Sequence, residues 1–166
     1  MTPASLRSRS LYATAPSRLG WLWGLCTALE RGLNALQPLA ALVARLYVAQ
    51  VFFSSGLTKL RDWDITLALF ADEYHVPLLS PPVAAVLGTG GELVLPVLLV
   101  LGLGGRFAAL GLSVMNVVAV LSLAEIAPAA FQQHITWGTL LAGLVVFGCG
   151  PWAMGHWLRS RWGGAH

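Results

Sequence analysis

The most constraining feature of this sequence is the apolar run AAVLGTGGELVLPVLLVLGL over residues 84–103. Its only ionisable side chain is Glu92, which lies near the middle. A helix of about 20 apolar residues crosses a hydrocarbon layer about 30 Å thick. A charged group at the centre of such a helix costs roughly 3 kcal/mol on insertion scales. The run therefore predicts a membrane span whose carboxylate needs a polar partner.

The composition of the whole chain agrees with a membrane protein. Over 166 residues it is 57% hydrophobic and 10% charged, with a mean hydropathy of +0.72. Such a chain has too little polar surface to cover a water-soluble domain. Its net charge of +3 is small, and the arginines lie near the ends of apolar runs. This arrangement is typical of topology signals and argues against a nucleic-acid-binding surface.

The fold class predicted from these patterns is all-α, an integral membrane four-helix bundle over residues 38–151. Four apolar segments are expected to cross the membrane, residues 39–57, 84–103, 107–124 and 134–148. The polar connection between the first two spans is expected to form a short helix that rests on the membrane or caps the bundle. Either Asp62 or Asp64 could begin this helix, because a carboxylate there accepts the free N–H groups of the first turn.

The chain before the bundle predicts an amphipathic helix over residues 17–37. Trp21 and Trp23 near its start favour a position in the membrane interface. The dipeptide Gln37–Pro38 is expected to end this helix. The alternative, a first membrane span in this region, is disfavoured because the charged pair Glu30–Arg31 would lie inside it.

The two ends of the chain are expected to be cytoplasmic. Residues 1–16 are interpreted as a disordered basic tail without a cleavable signal peptide, and residues 152–166 as a second tail. If the four spans alternate, one side of the membrane carries most of the basic residues, Arg7, Arg9, Arg18, Arg31, Arg106, Arg159 and Arg161. The other side carries only Lys59 and Arg61. By the positive-inside rule, both termini then face the cytoplasm.

Three polar residues are predicted to form a buried polar centre at similar depth in the bundle, Arg45, Glu92 and Asn116. Arg45 is expected to pair with Glu92, because a buried charge is costly unless it is paired. The centre would bind a ligand or handle protons. The alternative is a structural ion pair that determines which helices are neighbours.

A second group is predicted at the outer face of the bundle. Its members are Lys59, Asp72, Glu73, His75 and His134. Histidine is a common metal ligand and proton carrier, but each of these two stands alone in sequence, so no metal site is assigned. The cysteines, Cys26 and Cys149, are also isolated, and we interpret them as packing residues. No catalytic nucleophile, nucleotide loop or haem motif is recognised.

Five short motifs lie in order along the four predicted spans. They are Arg45-Leu-Tyr, Phe53-Ser-Ser-Gly-Leu-Thr-Lys59, Gly91-Glu92, Gly105-Arg106, and His134 with Trp137-Gly138. In this order and spacing they resemble the DoxX family of small four-helix membrane proteins over residues 39–151. The resemblance implies a multi-pass protein of the bacterial inner membrane with cytoplasmic termini.

A further stretch, from Trp63 to Leu79 together with residues 87–92, resembles a subgroup found in copper-stress gene clusters beside peptide-modifying iron enzymes. The family also includes proteins similar to the small subunit of thiosulfate:quinone oxidoreductase. The resemblance thus implies lipid contact and partner proteins of a redox or copper-stress complex, and a homo-oligomer is a further expectation.

Three functions are consistent with these observations. The first is an accessory component of a redox or copper-stress pathway, with no cofactor of its own. The second is a quinone-binding subunit of a membrane oxidoreductase, in which Arg45, Glu92 or His134 handles protons. The third is a small-molecule or peptide exporter. Whether the chain is an enzyme stays open between these alternatives.

Overall fold

The structure is a computed structural model that describes residues 18–155 together with Trp157 and Arg161. Its regular elements are five helices, α1 Arg18–Arg61, α2 Trp63–Asp72, α3 Pro81–Leu101, α4 Gly105–Ser122 and α5 Pro128–Phe147. The described residues contain no strand, only one isolated bridge between Tyr74 and Leu123. The all-α prediction is confirmed. The predicted tail over residues 1–16 and most of the tail over 152–166 lie outside the described residues.

Helix α1 does not break where the sequence predicted. It runs without interruption through Pro38, so a separate helix that ends at Gln37–Pro38 is not observed, and that prediction is wrong. A proline inside a helix removes one backbone hydrogen bond. Helices of membrane proteins tolerate this loss where local adjustments satisfy the freed carbonyl group. The interfacial position predicted for residues 17–37 stays a prediction.

Three of the described helices are long and apolar enough to cross a membrane. They are α1 from Gly20 onward, α3 and α4. Helix α5 is not among them, since Gln132, Gln133 and His134 make its first half polar. The membrane class is confirmed, and the fourth span stays a prediction.

The chain divides into two compact units, Met1–Ala35 and Leu36–His166. Between Gly20 and Ala35, all side chains of α1 except Thr27 are exposed, among them Trp21, Trp23 and Cys26. The second unit contains the packed bundle, in which α2 lies against α3, α3 against α4, and α4 against α5.

One main hydrophobic core holds the second unit together. Its buried members come from four helices and the segment after α5, and include Val48, Leu99, Leu112, Leu141 and Ala153. A smaller core lies under α2, where Phe70 packs on Ala84 and Ala85 of α3. The two cores lie at different heights along α3, because Ala84 and Leu99 are separated by about four helical turns.

The connections are short and have clear local causes. Asp62 caps α2 by accepting a hydrogen bond from the Ile65 N–H at 3.0 Å, which confirms the predicted capped helix. Gly102 ends α3 in the left-handed conformation, with φ at 69°, a region that glycine adopts at low cost. The segment after α2 is fastened to the end of α4, since the His75 N–H donates to the Ser122 carbonyl at 2.9 Å.

The close approach of α1 to α3 predicts a stability difference between two glycines. A Cβ atom at Gly56 would lie 2.9 Å from Leu93 Cγ and 3.1 Å from Glu92 Cβ, whereas a Cβ at Gly90 would meet nothing within 4 Å. We therefore expect Gly56→Ala to lower the free energy of unfolding by about 1–3 kcal/mol through overpacking. Gly90→Ala should not lower the free energy of unfolding, because alanine favours a helix more than glycine does. Unfolding in mixed micelles measures the change in the free energy of unfolding for both variants. Equal changes would contradict the close contact of α1 with α3 at Gly56.

Candidate ligand cavity

A cavity of about 480 Å³ opens between the helices of the second unit. We call it the ion-pair cavity. Its wall is mostly apolar, and its polar side chains are Ser55, Lys59, Tyr74, Glu92, Ser122 and His134. A concave, largely apolar space with a few converging polar groups is the usual form of a small-molecule site.

The central interaction on the wall is an ion pair between α1 and α3. Lys59 Nζ lies 2.7 Å from Glu92 Oε1 and 2.6 Å from Glu92 Oε2. Lys59 also donates to Ser55 Oγ at 2.9 Å, and Ser55 donates to Glu92 Oε1 at 3.2 Å. The ammonium group therefore has three acceptor atoms within hydrogen-bond distance, as many as it has N–H donors.

The position of this pair follows from where α1 ends. The close contact of Gly56 with Glu92 and Leu93 shows that the last turns of α1 lie beside the middle of α3. Ser55 and Lys59 are four residues apart, so they share one face of α1. That face meets the one carboxylate of α3, and a lysine near the end of α1 thereby reaches the centre of another helix.

A second polar pair joins α4 to α5. Asn116 Nδ2 donates to the His134 backbone carbonyl at 2.9 Å, and Asn116 Oδ1 lies 2.8 Å from His134 Nδ1. Asn116 is buried, while His134 is partly accessible and lines the cavity. The edge of the His134 ring also meets the Trp137 ring, with 4.9 Å between the centroids.

The segment after α2 closes one side of the cavity. Tyr74 packs on Phe70 with 5.1 Å between the ring centroids, and both side chains line the space. Burial, with the nearby carboxylates of Glu92 and Glu73, raises the pKa of the Tyr74 phenol above its usual value. Tyr74 therefore stays protonated at physiological pH and keeps its O–H as a donor.

The predicted pairing of Arg45 with Glu92 is wrong. Arg45 is buried, and its Nη1 donates to the Cys149 carbonyl at 3.1 Å. Its guanidinium lies beside Gly102 at the far end of α3. The partner of Glu92 is Lys59 instead. Fourteen residues separate Arg45 from Lys59 on one helix, which is about 21 Å. Arg45 is therefore too far along α1 to reach the same carboxylate.

The structure does not group the site residues into the buried centre and the outer group that the sequence predicted. Glu92 and Asn116 of the predicted centre lie with Lys59 and His134 of the predicted outer group, as two separate polar pairs. Three further members of the outer group, Asp72, Glu73 and His75, are exposed and do not line the cavity. Within the described residues, no three His, Cys, Asp or Glu side chains converge as a metal site would require.

Sequence reasoning missed the roles of Ser55, Tyr74 and Trp137. The spacing of Ser55 and Lys59 beside Gly56 was the available signal, because a small residue next to two polar ones marks a close and polar helix contact. No comparable sequence pattern indicated that Tyr74 would line the cavity. It reaches the cavity because the chain after α2 bridges to Leu123 at the end of α4.

Comparison with known proteins identifies the family of this chain. A family model described as DoxX matches residues 40–125, just over half of the chain. The matched range contains Lys59, Glu92 and Asn116 but ends before His134. Neither the search of curated proteins nor that of solved structures gave a match.

The ion pair predicts a strong coupling between Lys59 and Glu92. Each single substitution, Lys59→Met or Glu92→Gln, leaves one charge without its partner, so we expect a loss of about 3 kcal/mol in the free energy of unfolding. The double variant should lose less than the sum of the two, because neither charge then remains. Unfolding in mixed micelles gives all three values, with the exposed residue Asp72 as control, since Asp72→Asn should change the free energy by less than about 0.5 kcal/mol. Additive losses would show that the two residues do not interact.

Proposed function

Because this chain belongs to the DoxX family, we propose that it is a bacterial inner-membrane component of a redox or metal-stress pathway. Its part in that pathway is to bind a small, mostly apolar molecule in the ion-pair cavity. The single observation that carries the proposal is this cavity, bounded by apolar helices, with the Lys59–Glu92 pair and His134 on one wall.

The size and polarity of the cavity support a quinone-type ligand. A volume of about 480 Å³ lies within the range of roughly 300–1,000 Å³ typical of ligand sites. A quinone combines an apolar ring and tail with two oxygen atoms. The aromatic side chains of Phe52, Phe70 and Trp137 would contact the ring, and Tyr74 would donate to an oxygen.

Electron transfer in this proposal belongs to a partner protein. The chain would hold the quinone, and a partner would carry the electron-transfer centre, as in a two-subunit quinone oxidoreductase. A copper-stress role is the metal-related form of the same proposal. It is supported by the resemblance of the segment from Trp63 to Leu79 to the subgroup found in copper-stress gene clusters. In both forms, the exposed acidic residues Asp72 and Glu73 next to the cavity offer a contact surface for the partner.

We also propose that α5 is a fourth membrane span and that both termini are cytoplasmic. The end of α5 lies at the same end of the bundle as the α3–α4 turn, because Arg106 Nη2 donates to the Val146 carbonyl at 3.3 Å. A Cβ atom at Gly105 would likewise meet Cys149 Sγ. With 20 residues, α5 is about 30 Å long, enough to cross the hydrocarbon layer.

This topology predicts opposite accessibility for the two ends of α5. In a chain that lacks Cys26 and Cys149, Glu125→Cys and Trp152→Cys place one thiol at an exposed position before α5 and one after it. A membrane-impermeant maleimide should label Glu125→Cys in intact spheroplasts and Trp152→Cys only after permeabilisation. Labelling of both from the same side would refute the fourth span.

Ligand binding predicts a stabilisation that depends on the cavity. At 100 times its Kd, a decyl-substituted quinone should stabilise the protein in nanodiscs by about 2.7 kcal/mol, measured as a rise in Tm. Val118→Phe should abolish the rise, because Val118 lines the cavity and a phenyl ring would fill the space.

The neighbouring residue provides the matched control for this experiment. Val117 lies on the same helix but is exposed, so Val117→Phe should retain the full rise in Tm. Absence of a rise in Tm with the quinone and with its reduced, hydroquinone form alike in the unsubstituted protein would refute the proposed function. An equal loss in both variants would show that binding occurs elsewhere.

A further inference from the structure

The hydrogen bonds of Asn116 fix which nitrogen of His134 carries a proton. A backbone carbonyl only accepts hydrogen bonds, so the amide NH₂ of Asn116 must face the His134 carbonyl, 2.9 Å away. The amide oxygen then faces His134 Nδ1 at 2.8 Å. Since that oxygen also only accepts, Nδ1 must be the protonated nitrogen of the neutral ring.

The other ring nitrogen is therefore a hydrogen-bond acceptor. In neutral imidazole, one nitrogen donates and the other accepts. No described residue forms a hydrogen bond with His134 Nε2, and this atom is not among the fully buried unpartnered ones. Because Nδ1 is turned to Asn116 and His134 lines the cavity, Nε2 is the nitrogen that the ring offers to a ligand.

The remaining strong polar groups on the wall are already engaged. Lys59 and Glu92 satisfy each other and Ser55, and Ser122 Oγ donates to the Val118 carbonyl at 2.6 Å. Two polar groups on the wall have no hydrogen-bond partner among the described residues, the O–H of Tyr74 and the acceptor nitrogen of His134. A ligand that leaves Nε2 without a donor would bury an unpaired acceptor, which lowers affinity.

We infer that the ion-pair cavity selects the hydroxyl-bearing, reduced form of its ligand, a hydroquinone or related phenol, through a hydrogen bond from that hydroxyl to His134 Nε2. Asn116 is a positioning residue that holds the acceptor nitrogen toward the ligand. The inference rests on the proposed function, since it names the form of the molecule that the same cavity takes.

Nitrogen NMR tests the fixed tautomer without any ligand. In ¹⁵N-labelled protein in nanodiscs at pH 8, where an ordinary imidazole is neutral, His134 should show a protonated Nδ1 and an unprotonated Nε2. Its signals are identified by their loss in His134→Phe. A protonated Nε2 in the neutral ring would overturn the inference, whether or not a quinone binds.

Binding of matched probes tests the selection itself. We expect a decyl-substituted hydroquinone to bind about tenfold or more tightly than its dimethyl ether under anaerobic conditions, because the ether lacks the donor. The preference should disappear in His134→Phe, which keeps a ring against Trp137 but has no acceptor. Asn116→Leu should weaken the preference and allow both tautomers in the NMR spectrum.

The outcomes separate the two proposals. Equal affinity for the hydroquinone and its ether in the unsubstituted protein would overturn the inference and leave the proposed function intact. A failure of the quinone, the hydroquinone and the ether all to bind would overturn the proposed function and the inference with it. Circular dichroism confirms that each variant is folded, so that a lost preference reports on the cavity.

Discussion

The ion pair between Lys59 and Glu92 is the interaction on which the architecture around the cavity depends. Both side chains are largely buried, with 15% and 14% of their surface exposed. Two charges taken from water into a low-dielectric interior are tolerated only in good geometry with additional hydrogen bonds. Ser55 supplies these bonds to both partners. The pair thus holds the last turns of α1 against the middle of α3.

That contact determines where the cavity forms. The last turns of α1, which ends at Arg61, lie beside the middle of α3. Phe70 of α2 and Tyr74, which follows α2, cover the first half of α3. The turn into α2 is fixed because Thr66 Oγ1 donates to the Lys59 carbonyl at 2.8 Å. The ion-pair cavity lies between this cover and the Lys59–Glu92 pair, and both line it.

The helices were largely predictable from the sequence, because apolar runs and local caps act over short distances. Residues 84–103 and 107–124 correspond closely to α3 and α4, and the Asp62 cap was among the expected alternatives. The pairing of charges was less predictable. Assigning Arg45 and Glu92 to one depth assumed that all spans begin at the same height, whereas α1 ends beside the middle of α3.

The two polar pairs differ in what they leave for a ligand. Lys59 and Glu92 each have a charged partner, so a ligand that displaced either would bury an unpaired charge. In contrast, Asn116 occupies only one nitrogen of His134 and leaves the other as an acceptor. The ion pair therefore fixes the shape of the cavity, and the neutral pair determines which ligand it prefers. An amide suits this second task, because it fixes the direction of both hydrogen bonds without adding a charge to the membrane interior.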